Sequence, residues 1–433
     1  MTLFASTRDA SLAVGFSVAL MQGLAPDGGL FVPIEFPRLT PRDFNELEEL
    51  PAIAARLLTP FVGTDPLTAA LPQLTARAFA WPALLQPLDE HGRLHVLELF
   101  HGPTAAFKDF GAQFLAACFA SLDSPPGRQL TILVATSGDT GAAVASAFFG
   151  RPDVEVAVLF PKGLVSPAQE RQLTCWGGNV RSLAVRGTFD DCQRMVKSAF
   201  ADAEFKSRRL LSSANSINLG RLLPQMAYFA AASLEVWRRY GEPASFIVPS
   251  GNLGNALACL WARAAGLPVG EVVLAHNANR TVPDYLETGA WRPRPSIATL
   301  ASAMDVGDPS NAERLRELYP DFGALRGAIS ACSVRDEEIR ARISAGYERY
   351  GQIWCPHTAT AADAYERLPE ARRAGHRWVI VSTAHPAKFP EIVAPLIGRA
   401  VPVPQSLAKL FAQSGSCVEI APDLGALRGA LKE

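Results

Sequence analysis

What most constrains this chain is an alternation. Short apolar runs suited to strands buried on both faces recur between helical stretches. Gln129–Ala135 precedes a helix at Ala142–Gly150, Val154–Phe160 follows, and Asn179–Val185 leads to a helix at Asp190–Ala203. A long helix, Asn218–Tyr240, comes before the strand Phe246–Val248. The helix Ala256–Gly266 and the strands Val272–Ala275 and Trp378–Ser382 complete the series. Upstream, Arg93–Phe100 reads as a strand feeding a helix at Asp109–Leu122. Repeated strand–loop–helix units predict an α/β chain with a doubly wound, mostly parallel sheet.

Residues 1–90 read differently, as a smaller N-terminal domain ahead of a core spanning residues 91–433. A buried helix within Ser11–Ala25, a strand at Leu30–Ile34, a helical pattern around Pro41–Leu58 and another at Leu67–Phe79 are expected there. The apolar run Ser11–Ala25 resembles a signal-peptide core. It lacks a basic flank and a small-residue cleavage site, and it runs into the turn Pro26–Gly29. Nothing else approaches the roughly twenty apolar residues of a membrane span.

With 41 Lys+Arg against 42 Asp+Glu, the net charge is −1. No basic excess points to nucleic acid or an anionic membrane, so any anion must be caught locally. The seven cysteines are scattered without a CxxC pair, and the seven histidines form no HExxH or HxH set. Neither a disulfide framework nor a metal site is expected; reduced thiols in a cytoplasmic protein are.

Four loops carry candidate chemistry. His101–Phe110 (HGPTAAFKDF) places Lys108, one of only seven lysines, among Ala105, Ala106, Phe107 and Phe110. By itself it favours a snorkelling surface lysine. A desolvated lysine at that place would instead lose its proton readily and act as an amine nucleophile. In Pro249–Asn255 (PSGNLGN) a strand ends, two glycines bracket an asparagine and a helix begins, which suits a phosphate cradle as well as it suits a plain glycine turn. Thr136–Gly141 (TSGDTG) repeats that geometry: Ser137, Thr140 and the amides of Gly138 and Gly141 are candidates for a carboxylate or phosphate, against ordinary N-capping. Asn215–Gln225 offers Ser216, Asn218 and Arg221, and Lys162 stands just past another strand end. Together, an amine nucleophile and several anion loops at strand ends suit pyridoxal phosphate, which needs a lysine and a held phosphate.

The ordered segments Leu24–Pro33, His101–Gly111, Thr136–Val144, Pro161–Glu170, Asn215–Gln225, Pro249–Asn255, Ala303–Asn311 and Ser382–Glu391 resemble threonine synthase. That family belongs to the fold type II pyridoxal-phosphate enzymes, the tryptophan-synthase-β class, and this chain resembles its branch with a long N-terminal extension. The resemblance implies two α/β subdomains with the site between them, and Lys108 as the Schiff-base lysine. It implies that Gly251, Asn252, Leu253, Gly254 and Asn255 bind the cofactor phosphate, and that Thr383 faces the pyridine nitrogen. Ser137, Gly138, Asp139 and Thr140 would hold the substrate carboxylate. Lys162, Ser216, Asn218 and Arg221 would bind the phosphate of O-phospho-L-homoserine. The implied reaction is γ-elimination of phosphate, water addition at the β carbon and release of L-threonine. A lyase or deaminase on a phosphorylated or hydroxy amino acid is the alternative on the same scaffold. Two departures from the family pattern bear on the pocket: Asn279-Arg280 followed by Asp284 swaps two charges, and Cys355 stands where an acid is usual. The swap predicts an i,i+4 ion pair of structural value.

Overall fold

The computed structural model describes residues 3–122 and 130–431. Its first three strands, β1 (Phe4–Ser6), β2 (Ala13–Val14) and β3 (Phe31–Pro33), form a small antiparallel sheet. The remaining strands are β4 (Leu84–Pro87), β5 (Leu94–Glu98), β6 (Leu130–Ala135), β7 (Val154–Pro161), β8 (Val180–Val185), β9 (Leu210–Ser213), β10 (Ala244–Pro249), β11 (Val269–His276), β12 (Ser330–Ser333), β13 (Arg377–Ser382) and β14 (Val418–Ile420). They build two sheets. One runs β12-β11-β10-β13-β5-β4 and is parallel except at the edge strand β4. The other runs β14-β8-β7-β6-β9 and is parallel throughout.

Both large sheets are covered on both faces. On β10, Phe246 and Val248 face one apolar cluster and Ile247 faces another. On β6, Ile132 and Val134 join the cluster that holds Phe246, while Leu133 and Ala135 belong to a third. That period-2 split under unbroken apolar sequence is what a doubly wound sheet demands. Among the described residues, the N-terminal segment has no apolar cluster to itself. Phe16, Phe44, Leu57 and Phe61 share the central cluster with Phe229 and Trp261. Leu84–Pro87, N-terminal to residue 90, pairs with β5 and so belongs to the larger sheet.

Several elements differ from the sequence expectation. Ser11–Ala25 is a two-residue strand followed by a helix at Phe16–Gln22 that stops at Gly23, φ +71°. Pro41–Leu58 splits into a 3-10 turn, Pro41–Phe44, and a helix, Leu50–Val62. The single helix expected over Asn218–Tyr240 is broken into Leu219–Leu222, a 3-10 turn at Leu223–Gln225 and Met226–Tyr240. Pro224 explains the break, since it lacks an amide hydrogen and crowds the preceding turn. Strands β4, β9, β12 and β14 are short, and the sequence pattern did not mark them. β14 comes from the end of the chain and closes the outer edge of the five-stranded sheet against β8. Arg181 and Arg209 secure that end by bonding the carbonyls of Ala430 and Leu431 at 3.1 and 2.6 Å.

Trp261, 1% exposed, meets Phe36 edge to face at 5.7 Å and ties the N-terminal segment to the helix Gly254–Ala264. Trp261→Ala is expected to cost about 3–5 kcal/mol in urea unfolding. A loss under about 1 kcal/mol would show that the two parts do not share one core.

Candidate active site

Lys108 opens the helix Lys108–Ala120. The loop before it is held by the end of β13. The Phe107 amide donates to the Thr383 carbonyl at 2.9 Å, the His385 amide to the Ala105 carbonyl at 3.0 Å, and the Leu99 amide to the Ser382 carbonyl at 2.9 Å. Ala105 accepts φ +54° to make this turn, a conformation that costs a residue with a Cβ roughly 1–2 kcal/mol. The Lys108 side chain is 15% exposed and its Nζ lies 4.0 Å from Asp139 Oδ2. Burial lowers its pKa to about 8; Asp139 opposes the shift, and Lys388 and Arg221 add to it.

One cavity gathers most of the residues singled out from the sequence. Lys108 and Thr383 reach it from the ends of β5 and β13. Ser137, Asp139 and Thr140 reach it from the end of β6, and Ser216 and Arg221 from the segment after β9. Gly251, Asn252, Leu253, Gly254 and Asn255 follow β10. The site therefore lies at the carboxyl ends of strands from both sheets, where open α/β sheets place ligands.

The loop after β10 is rigidly held. Leu253 adopts the left-handed conformation, φ +64°, at the N-cap of the helix Gly254–Ala264. A Cβ on Gly251 would stand 2.7 Å from Met304 Cα, so only glycine permits that approach. Asn252 bridges three segments: its Nδ2 donates to Ser216 Oγ at 2.6 Å, its Oδ1 accepts from the Ser310 amide at 2.6 Å, and its carbonyl accepts from Asn311 Nδ2 at 3.0 Å. Asn255 receives the Tyr228 hydroxyl at 2.6 Å, while its own Nδ2 is buried without a partner. Arg221, 2% exposed, donates from Nη1 to the Ala214 carbonyl, and its Nε is likewise unpartnered. Burial lowers its pKa to about 10.

The loop after β6 corrects one expectation. The amides of Gly138 and Gly141 both donate to Thr136 Oγ1, at 3.0 and 2.8 Å, and are spent on the turn itself. The first-turn amides of Asp139 and Thr140 are those the helix leaves without an internal partner. Gly138 does not line the cavity. Its φ of +134° is a conformation that side chains rarely adopt, which is why glycine stands there.

Two further residues lie elsewhere. Lys162 is exposed beyond β7, pairs with Glu419 of β14 and is not part of the cavity lining. Asn218 is fully buried and saturated: it donates to the carbonyls of Leu20 and Ser213, both at 2.9 Å, and accepts from the Gly220 amide at 2.9 Å. Arg280 and Asp284 form an exposed i,i+4 pair at 2.5 Å that Arg294 completes at 2.5 Å, outside the cavity. Cys355 caps the helix Pro356–Glu366, its Sγ accepting from the Thr358 amide at 3.5 Å.

Sequence reasoning missed His357 and Lys388. His357 lines the cavity and accepts the Ala303 amide at 3.1 Å. It stands two residues past Cys355, in the PHTA run. Lys388 is completely buried and pairs with Asp139 at 2.8 Å. The signal was a second lysine in an apolar setting, in a chain that prefers arginine.

Residues 81–384 match the pyridoxal-phosphate dependent enzyme family; residues 3–79 and 358–430 match the N-terminal and C-terminal regions of threonine synthase. The chain belongs to the threonine synthase family. It is 41% identical to a threonine synthase of Haemophilus influenzae over 402 residues, covering 92% of this chain and 91% of that one. The crystal structure of Escherichia coli threonine synthase superposes with a TM-score of 0.90 at 36% identity, over 100% of this chain and 99% of the other. Pyridoxal-phosphate-bound threonine synthase from Brucella melitensis gives 0.88 at 34%, over the whole of both chains. The site fits that cofactor on its own terms. A buried amine faces a helix N-terminus, and two buried donors, Asn255 Nδ2 and Arg221 Nε, lack partners.

His357 carries a pH consequence. Burial pushes its pKa to about 4; Asp139 opposes the shift, and Lys108 and Lys388 add to it. Between about pH 6.5 and 4 the unfolded chain binds a proton that the folded chain refuses, so stability falls as pH drops through that window. Urea unfolding at pH 7.5 and 4.5 should show a drop about 2 kcal/mol smaller in His357→Gln than in the parent. Equal drops would mean that His357 is not held neutral by the fold.

Proposed function

We propose that this protein converts O-phospho-L-homoserine and water to L-threonine and phosphate, with pyridoxal phosphate attached at Lys108. The observation that carries the reading is one cavity lined by a desolvated lysine, the glycine loop after β10 and a buried arginine with an unpartnered Nε, in a chain with no overall positive charge. Such a site suits a phosphorylated substrate beside a phosphorylated cofactor.

When bound, pyridoxal phosphate supplies an electron sink for charge developing on the substrate carbons. The chain's own residues do the rest. The Gly251–Asn255 amides, the helix dipole and Asn255 Nδ2 would hold the cofactor phosphate. The Thr383 hydroxyl, which lines the same cavity, would serve the cofactor's ring nitrogen as an uncharged partner. Ser137 and Thr140, with the free amides of the first turn, take the substrate carboxylate. Ser216 and Arg221 take the substrate phosphate. Lys162 and Asn218 drop out of that set, because the one is tied to Glu419 and the other is saturated. Lys108 Nζ, whose pKa burial lowers to about 8, removes the α proton and then a β proton. As phosphate leaves the γ carbon, that carbon takes up a proton to become the methyl group; water then gives its hydroxyl to the β carbon and its proton to the released phosphate, and Lys108 returns a proton to Cα. The free thiols suit a reducing compartment, and we read the enzyme as cytoplasmic.

Purified protein given O-phospho-L-homoserine should release threonine and phosphate in equal amounts. Release of 2-oxobutyrate with phosphate would favour a lyase or deaminase instead. Lys108→Ala should lose both the visible cofactor band and turnover. Arg221→Ala should keep the band and raise KM by about 10- to 100-fold, the loss of one charge-assisted contact. Loss of the band in Arg221→Ala would assign that arginine to the cofactor's phosphate.

A further inference from the structure

A second buried amine lies behind Lys108. Lys388, 0% exposed, sits in the short turn Pro386–Lys388 after β13. Its Nζ donates to Asp139 Oδ1 at 2.8 Å and to the Thr104 carbonyl at 2.9 Å. Gln169 Nε2 also reaches Asp139 Oδ1, at 3.2 Å. The other carboxylate oxygen, Oδ2, is the one that lies 4.0 Å from Lys108 Nζ. Thr104 is clamped in turn, its amide and hydroxyl donating to the two oxygens of Asp109 at 2.9 and 2.5 Å. One carboxylate is thus held between two lysines, and the far lysine does not line the cavity.

This arrangement answers a problem that the proposed chemistry creates. A lone carboxylate beside Lys108 would hold its proton and silence it as a base. With no carboxylate there, nothing would aim the amine. We propose that Lys388 is a positioning residue: by pairing with Asp139 it lets that carboxylate orient the Lys108 amine without keeping it protonated. The proposal rests on Lys108 being the lysine that carries the cofactor. It also removes Asp139 from the residues that take the substrate carboxylate, which its own charge would repel.

The charged and titratable groups around Lys108 come from four elements: Asp139 on the helix after β6, Lys388 on the turn after β13, Arg221 on Leu219–Leu222 and His357 on Pro356–Glu366. Asp139 alone raises the Lys108 pKa, whereas Lys388 and Arg221 lower it. Lys388 also holds Asp139, which burial by itself would make harder to ionise, well below the usual carboxylate range.

The test reads Lys108 in the apoenzyme. The rate at which added pyridoxal phosphate develops its visible band is followed against pH, and the midpoint reports the free amine. Relative to the parent, Lys388→Met should move the midpoint up by about one pH unit and Asp139→Asn should move it down. Lys388→Arg, which keeps the charge, should leave it near the parental value. Equal midpoints in parent and Lys388→Met, or shifts of the same sign in Lys388→Met and Asp139→Asn, would overturn the proposal. Should Lys388→Met fail to fold, the double variant Asp139→Asn/Lys388→Met buries no unpaired charge. Its midpoint should lie above that of Asp139→Asn alone, and equality would again overturn the proposal. A different outcome marks failure of the underlying assignment: a parent that forms no band, or a Lys108→Ala variant that keeps one.

Discussion

The site depends on three backbone hydrogen bonds. Leu99 to Ser382, Phe107 to Thr383 and His385 to Ala105 lash the segment before Lys108 to the segment after β13. The two segments are nearly 280 residues apart in sequence and adjacent only because β5 and β13 are neighbours in the six-stranded sheet. Lys108 and Thr383 are thereby set against each other by main chain, before any side chain contributes. The positive φ of Ala105 is the local cost of that lashing.

The second constraint is electrostatic. A chain with a net charge of −1 sets Lys108 and Lys388 about Asp139 and Arg221 near Lys108, with Arg314 fully buried near Ser216. Arg314 spends its guanidinium on backbone, donating to the carbonyls of Phe31 and Ile217 at 2.9 and 2.8 Å, and on Asn311 Oδ1 at 2.8 Å. It stitches the N-terminal sheet to the loops that hold Asn252. Positive charge is concentrated by burial and not by composition, so surface charge alone says little about what the cavity accepts.

Much of this was legible in the residues. Apolar runs such as Val154–Phe160 could only be strands covered on both sides, and the glycine loop after Phe246–Val248 could only sit at a strand end. Less local features were not. Asn218 looks like an anion ligand, but it is consumed by Leu20, a residue on an element nearly 200 positions away. Lys162 looks like a phosphate ligand until Glu419 arrives on a strand too short to be seen in the pattern. Lys388 falls within the segment Ser382–Glu391, but nothing in sequence shows that it turns inward to Asp139. The amides of Gly138 and Gly141 were misread because the competing acceptor, Thr136 Oγ1, lies inside the same loop. In each case a tertiary partner decided what a locally ambiguous polar group does.

β14 gives the fold a temporal order. It is the outer strand of the five-stranded sheet, yet it is drawn from Val418–Ile420, and the carbonyls of Ala430 and Leu431 anchor to Arg181 and Arg209. During synthesis β6 to β9 emerge with the flank of β8 uncovered, and that edge stays bare until Val418–Ile420 has been made. A nascent chain must therefore carry an open strand edge, the feature most prone to pairing with another chain, through the synthesis of more than two hundred residues.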